Sequence, residues 1–60
     1  MSALTLTISD LFFNSEEIRN TDTADERNIL ESAKEWLSNY PYFKQFISAD
    51  ELTKDFLRRL

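Results

Sequence analysis

Ser32, Lys34 and Ser38 are the closest this chain comes to a nucleophile beside a base. A lysine amine can take the proton of a serine hydroxyl and release it for attack on an acyl centre. Their spacing argues against that use here. If residues 23–40 form one helix, all three fall on its polar face, where a solvated surface is the expectation. The sequence has no His and no Cys, so the usual proton carriers and the strongest nucleophile are missing. It also has no Gly, which excludes glycine-rich phosphate loops and the sharp turn of an EF-hand loop. Paired carboxylates occur at Glu16–Glu17, Asp25–Glu26 and Asp50–Glu51. Each pair lies near an expected helix start, where a negative charge complements the helix dipole without a metal or a reaction. The residue types therefore point to a protein that is not an enzyme and has no cofactor and no metal site.

The elements that would carry these residues read as helices. Thr23-Ala24-Asp25-Glu26 fits a capping box, in which Thr23 takes the Glu26 amide and Glu26 reaches back. From there Ile29, Leu30, Ala33, Trp36, Leu37 and Tyr40 form a single apolar stripe at about 100° per residue. Arg27, Asn28, Glu31, Ser32, Lys34, Glu35, Ser38 and Asn39 occupy the remainder. Pro41 ends this helix, since it disfavours helical geometry at Tyr40 and has no amide to donate. Ser48-Ala49-Asp50-Glu51 is a second capping box, and Ile47 and Leu52 are placed for a hydrophobic staple. The helix that follows, residues 48–60, gathers Ala49, Leu52, Phe56, Leu57 and Leu60 on one face. Arg58 and Arg59 suit its negative end. Between the two, Pro41 can open a single helical turn through an aromatic-rich connection.

The N-terminal third carries weaker signals. Thr7-Ile8-Ser9-Asp10 is a lesser cap, with Leu6 and Leu11 as a staple, and predicts a helix over residues 8–19. Ile8, Leu11, Ser15 and Ile18 define its buried face. Leu4, Leu6 and Ile8 alternate with Thr5 and Thr7, which is the period of a half-buried strand. Residues 3–8 thus read either as an extended arm that needs a sheet edge to pair with or as a tail leading into the first helix. Asn20-Thr21-Asp22 reads as a polar connection.

The resulting expectation is all-α: one compact three-helix domain spanning residues 1–60, with helices at about 8–19, 23–40 and 48–60. Sixty residues bury only about 60% of the unfolded chain's surface, and without Cys there is no disulfide to add stability. Large side chains must therefore fill the centre; Trp36, Phe43 and Phe46 are expected there, with Leu52, Phe56 and Leu60 packing on the middle helix. Net charge is −4, made of −3 in residues 1–22, −2 in 23–40 and +1 in 41–60. That sign argues against direct nucleic-acid binding and against docking on an anionic membrane. No apolar run approaches the roughly 20 residues that span a bilayer. The expected setting is cytoplasmic, the host cytoplasm if the gene is a phage accessory gene.

What remains is aromatic surface without catalytic partners. Phe12 lies at the margin of the first helix's expected buried face, and Phe13 lies opposite that face. Tyr42 sits in the connection beside Tyr40 and Pro41, and Tyr is a favoured anchor at interfaces. Phe12, Phe13 and Tyr42 are the expected docking anchors, with Glu16, Glu17 and Asp22 as a polar rim. The leading expectation is a small protein-binding regulator (an inhibitor, adaptor or antitoxin-like factor) that occludes a larger protein partner. A second copy of the chain is another candidate partner. The rival reading is an acidic mimic of nucleic acid that blocks a nuclease or DNA-binding protein through Glu16, Glu17, Glu31 and Glu35. A structural subunit of a larger assembly is a further reading. A helix-turn-helix DNA binder built on the last two helices ranks lower, because its bases are few and the acids at 23–40 repel phosphate.

Overall fold

A computed structural model describes residues 7–60 and shows an all-α fold. The described helices are α1 (Ile8–Phe13), α2 (Glu16–Arg19), α3 (Glu26–Asn39), α4 (Pro41–Lys44) and α5 (Ala49–Arg59). The expected strand or tail at residues 3–8 and the Leu6 staple lie mostly outside the described residues. α3 and α5 form the main packed pair, α1 lies on α5, and α2 lies on α3. Of the three expected helices, the second and third are α3 and α5 and the first is split into α1 and α2, while α4 is the expected single turn opened by Pro41.

The predicted first helix is two helices, and the reason is local. Thr7 caps α1 with a capping box: the Asp10 amide donates to Thr7 Oγ1 at 3.2 Å and the Thr7 amide to Asp10 Oδ2 at 3.1 Å. After the six residues of α1 the backbone meets Asn14 and Ser15, whose side chains compete for its hydrogen bonds. Asn14 Nδ2 donates to the Asp10 carbonyl at 3.0 Å, and Ser15 Oγ to the Phe12 carbonyl at 2.7 Å. Ser15 is extended (φ −78°, ψ 159°) and accepts the Ile18 amide, so it caps a new helix, α2.

This break changes the expected buried face in part: Ile18 is buried and Ile8 packs on the core as expected, but Leu11 does not. Ile18 belongs to a separate helix, so it does not fix the phase of α1. α1 instead turns Ser9 and Phe12 inward, and Phe12 is only 1% exposed while Leu11 is exposed at its surface. Phe12 is a core residue and is unavailable as a docking anchor.

α3 also starts later than predicted. Asp25, rather than Thr23, is its N-cap, accepting the Arg27 amide at 2.9 Å. Asp22 has meanwhile closed a small turn by accepting the Ala24 amide at 3.0 Å. Asp outranks Thr at a cap, and two Asp residues flanking Thr23 leave its hydroxyl no capping role. The stripe holds at Ile29, Ala33, Trp36 and Leu37, all buried, with Leu30 half-buried. Two positions depart from it. Tyr40 is exposed, because the residue before Pro41 leaves helical geometry (φ −133°, ψ 71°). Ser32, expected to be solvated, is buried and hydrogen-bonded to the Thr21 hydroxyl where α2 meets α3.

α4 and α5 follow the sequence more closely. Pro41 sits in the first turn of α4. Ser48 and Glu51 form the capping box of α5, with Ser48 N to Glu51 Oε1 at 3.0 Å and Glu51 N to Ser48 Oγ at 3.2 Å. Leu52 and Phe56 are buried and Leu57 is half-buried, but Leu60 lies beyond the last turn and is exposed. Phe46 is a second correction to the expected core. It too is exposed, lying in the turn beyond α4; of the aromatics in this connection, Phe43 is the one that packs on the core. The core is Phe12, Ile18, Ile29, Ala33, Trp36, Leu37, Leu52 and Phe56. Among the described residues no helix is long and apolar enough to cross a membrane.

Candidate functional site

The α3–α4 corner builds a continuous aromatic surface. Pro41 forces the chain to turn, and the turn delivers rings from both sides of it. Trp36 lies 5.5 Å from Phe43 with nearly parallel rings (18°), and Tyr40 lies 5.3 Å from Trp36 and 5.7 Å from Phe43. Tyr42 meets Phe46 edge-on at 5.3 Å. Trp36 anchors this series in the core, while Tyr42 is 66% and Phe46 62% exposed at its outer end. Aromatic pairs gain from such tilted and stacked arrangements, so the corner is held in shape by ring-to-ring contacts.

A groove of about 480 Å³ opens beside this corner. Trp36, Tyr40 and Phe43 form one side of it. Leu11, Ser15, Glu16 and Glu17, from α1 and α2, form the other. The Asn14–Ser15 break produces that second wall: by ending α1 it leaves Leu11 outward, and by starting α2 it sets two carboxylates in the first turn. Glu17 accepts from Asn39 Nδ2 at 3.2 Å, a tie between α2 and the end of α3 across the groove's edge. A second shallow depression adjoins the first and shares Glu16 and Glu17 with it; Asn20, Thr21, Ser32 and Glu35 complete it.

The predicted anchors and rim are not one constellation. Glu16 and Glu17 border the groove, and Tyr42 lies at the exposed end of the aromatic corner. Phe12 is in the core. Phe13, expected to face away from the rest of the domain, packs on α5: its ring is 5.1 Å from Phe56 and the Arg59 guanidinium sits 5.5 Å above it. Arg59 also pairs with Asp10, so Phe13 is covered in part by a cation that α1 itself holds in place. The Thr7 amide and the Arg59 guanidinium hold the Asp10 carboxyl below its usual value. Asp22 is exposed in the α2–α3 connection, where it makes the turn at Ala24 and borders neither depression.

Tyr40, Leu11 and Phe46 were not among the predicted site residues. Pro41 carried a signal for Tyr40, since the residue before a proline should not be counted in a helical stripe. The Asn14-Ser15 pair carried one for Leu11, because two such residues in succession favour a helix end over a helix interior. As for chemistry, Ser32 is bonded to Thr21, whereas Lys34 and Ser38 are exposed and Ser38 donates to the Glu35 carbonyl. Among the described residues no three carboxylates converge as a metal site. Comparison with known proteins adds no relative: no family model, curated protein or solved structure matches the chain.

Proposed function

We propose that this protein is a non-catalytic binding module that docks on a larger protein through the α3–α4 corner. The observation that supports this reading most directly is the exposure of Tyr42 and Phe46 side by side, joined through Phe43 and Tyr40 to the core. Isolated exposed apolar residues are ordinary on a protein surface. A contiguous run of rings is not, because each leaves apolar area in water that a partner would cover. Tyr and Trp bury large area while losing few rotatable bonds, which suits them to be anchors. The rings are also already fixed against one another, so little ordering remains to be done on binding. Tyr42 keeps its place among the anchors from the sequence reading, Tyr40 and Phe46 join it, and Phe12 drops out because it is buried; Phe13 is 36% exposed but packs on Phe56 and does not line the groove. Action by occlusion, as an inhibitor, adaptor or antitoxin-like regulator, fits an exposed surface whose rings pack on one another and on the core.

The experiment is affinity capture from the native cell, followed by reconstitution of the recovered partner from purified components. The Tyr42→Ala/Phe46→Ala double variant should bind that partner more than about tenfold more weakly, in keeping with the loss of interface anchors. Its thermal midpoint should stay close to that of the parent chain, since both side chains are mostly exposed. A double variant with undiminished affinity would remove the corner from the interface.

A further inference from the structure

The groove between α1–α2 and the α3–α4 corner differs from the corner in charge, and that difference selects an occupant. One wall is the rings of Trp36, Tyr40 and Phe43, and the α1–α2 wall facing it carries Leu11 together with Glu16 and Glu17. The adjoining depression carries the same two carboxylates together with Glu35. No Lys or Arg lines either depression. Among the described residues the ion pairs are Asp55 with Arg58 and Asp10 with Arg59, so Glu16, Glu17 and Glu35 have no cationic partner. Three unneutralised carboxylates thus border two joined depressions, one floored by aromatic rings.

We infer that the groove receives an extended or helical segment of another protein that places one apolar side chain beside one or two arginines or lysines. This rests on the docking reading above and specifies the chemistry of the partner. The apolar side chain lies against Leu11, Tyr40 and Phe43. The basic side chain lays its methylene stem along the Tyr40 ring and brings its cation to Glu16 and Glu17; a second reaches Glu35. Each element matches a known preference: aliphatic stems cover apolar surface while the charge stays in water, and cations favour the face of an aromatic ring. An acidic occupant would meet repulsion from all three carboxylates. A second copy of this chain, at net −4, approaches against its own charge.

Trp36 is the sole tryptophan and forms the groove floor, so its indole N–H reports occupancy. The probes are two synthetic peptides, acetyl-Ala-Leu-Ala-Arg-Arg-Ala-amide and the same peptide with citrulline for both arginines, which keeps the shape and removes the charge. They are titrated into the ¹⁵N-labelled chain at low salt. The arginine peptide should shift the Trp36 indole and the α2 amides with an affinity about three- to tenfold above the citrulline peptide, the size expected of two or three exposed ion pairs. That gap should close in the Glu16→Gln/Glu17→Gln variant and at high salt, and should persist in Glu31→Gln, which loses a carboxylate bordering neither depression. The amide resonances of residues 16–19 in each free variant, compared with the parent, show that α2 still folds. Equal affinity for the two peptides overturns the charge assignment and leaves docking at the corner standing. Absence of any shift at Trp36 overturns the groove as a binding site, whatever the capture experiment returns. Concentration-dependent dimers in sedimentation that Tyr40→Ala abolishes would give the groove to a second copy and likewise overturn the inference.

Discussion

α3 with α5, and α1 with α2, pack on the same core by different means. α3 and α5 are 14 and 11 residues long, and each lays a periodic apolar face on the other. α1 and α2 have 6 and 4 residues, too few to be stable alone. They enter the core through Phe12 and Ile18 and are also held by polar ties of high directionality. Ser9 donates to Asp55 at 2.6 Å, Asp10 pairs with Arg59, Thr21 bonds Ser32, and Asn39 donates to Glu17. The long pair is stabilised by area. The short pair is stabilised by a few apolar side chains, chiefly the buried Phe12 with Ile18 and the Phe13 ring on Phe56, and by a set of tethers, and it is the short pair that builds one wall of the groove.

The largest effect that tests this contrast is removal of the ring. Phe12 lies 5.5 Å from Trp36 and 6.2 Å from Phe56, touching α3 and α5 at once. Phe12→Ala should cost about 3–5 kcal/mol, as for other buried phenylalanines. In a chain this small that is most of the folding free energy, since whole domains have only about 5–15 kcal/mol and short ones lie at the low end. Urea unfolding followed by circular dichroism and by Trp36 fluorescence measures it. Phe12→Leu, which keeps most of the volume, should remain folded and show a milder loss in the same assay. A cost below about 1 kcal/mol for Phe12→Ala would mean that α1 rests on its tethers and on the partly exposed Phe13, not on its buried ring.

The same contrast marks what the sequence revealed. Helix α5 was legible to the residue at its start because a capping box, a periodic face and a complementary charge distribution agree with one another. The α3 stripe was legible for the same reason, and Pro41 gave its end. Phe12 was not, because its burial depends on the break at Asn14–Ser15. A helix over residues 8–19 and two shorter helices satisfy the composition equally well; only the competition of two side chains for backbone partners, Asn14 for the Asp10 carbonyl and Ser15 for the Phe12 carbonyl, decides between them. Of the candidate site, Glu16, Glu17 and Tyr42 could be named from the sequence. Their neighbours could not, since Tyr40 left its stripe at the proline and Leu11 was turned out by the break. The candidate surface is built where periodicity fails, and periodicity is what a sequence shows best.

A middle-sized effect separates the caps that act from the one that was expected. Ser15→Ala removes the N-cap of α2 and should destabilise the chain by about 1 kcal/mol; Asp25→Ala should do the same at α3. Thr23→Ala, at the position the sequence favoured, should stay within about 0.5 kcal/mol, because the Arg27 amide is served by Asp25 and the Ala24 amide by Asp22. Chemical denaturation of the three variants side by side gives the order. Ser15→Ala should also perturb the Trp36 indole resonance, since Ser15 shapes the groove opposite it, whereas Asp25→Ala should leave that resonance in place.

The smallest effect concerns the tether at the other end of α1. Asp10 accepts from the Thr7 amide and from Arg59, and both hold its carboxyl below the usual carboxylate range. The folded state therefore gives up its hold on the carboxylate only at a lower pH than the unfolded state does, so between the two values the unfolded chain binds more protons. Stability from this group is present above the unfolded value and is lost as pH falls through the lowered one. Asp10→Asn removes the charge at every pH. The parent should thus melt at a higher temperature than the variant near about pH 6, and the gap should narrow toward about pH 2. Comparing parent with variant cancels the other carboxylates, which titrate in both. Because Asp10 ties α1 to α5 and takes no part in the α3–α5 stripe, amide exchange at low pH should accelerate first in α1 while α3 stays protected. A melting gap that does not change with pH, or exchange that accelerates equally in α1 and α3, would show that the short helices are not held by charge and that the domain responds to acid as one unit.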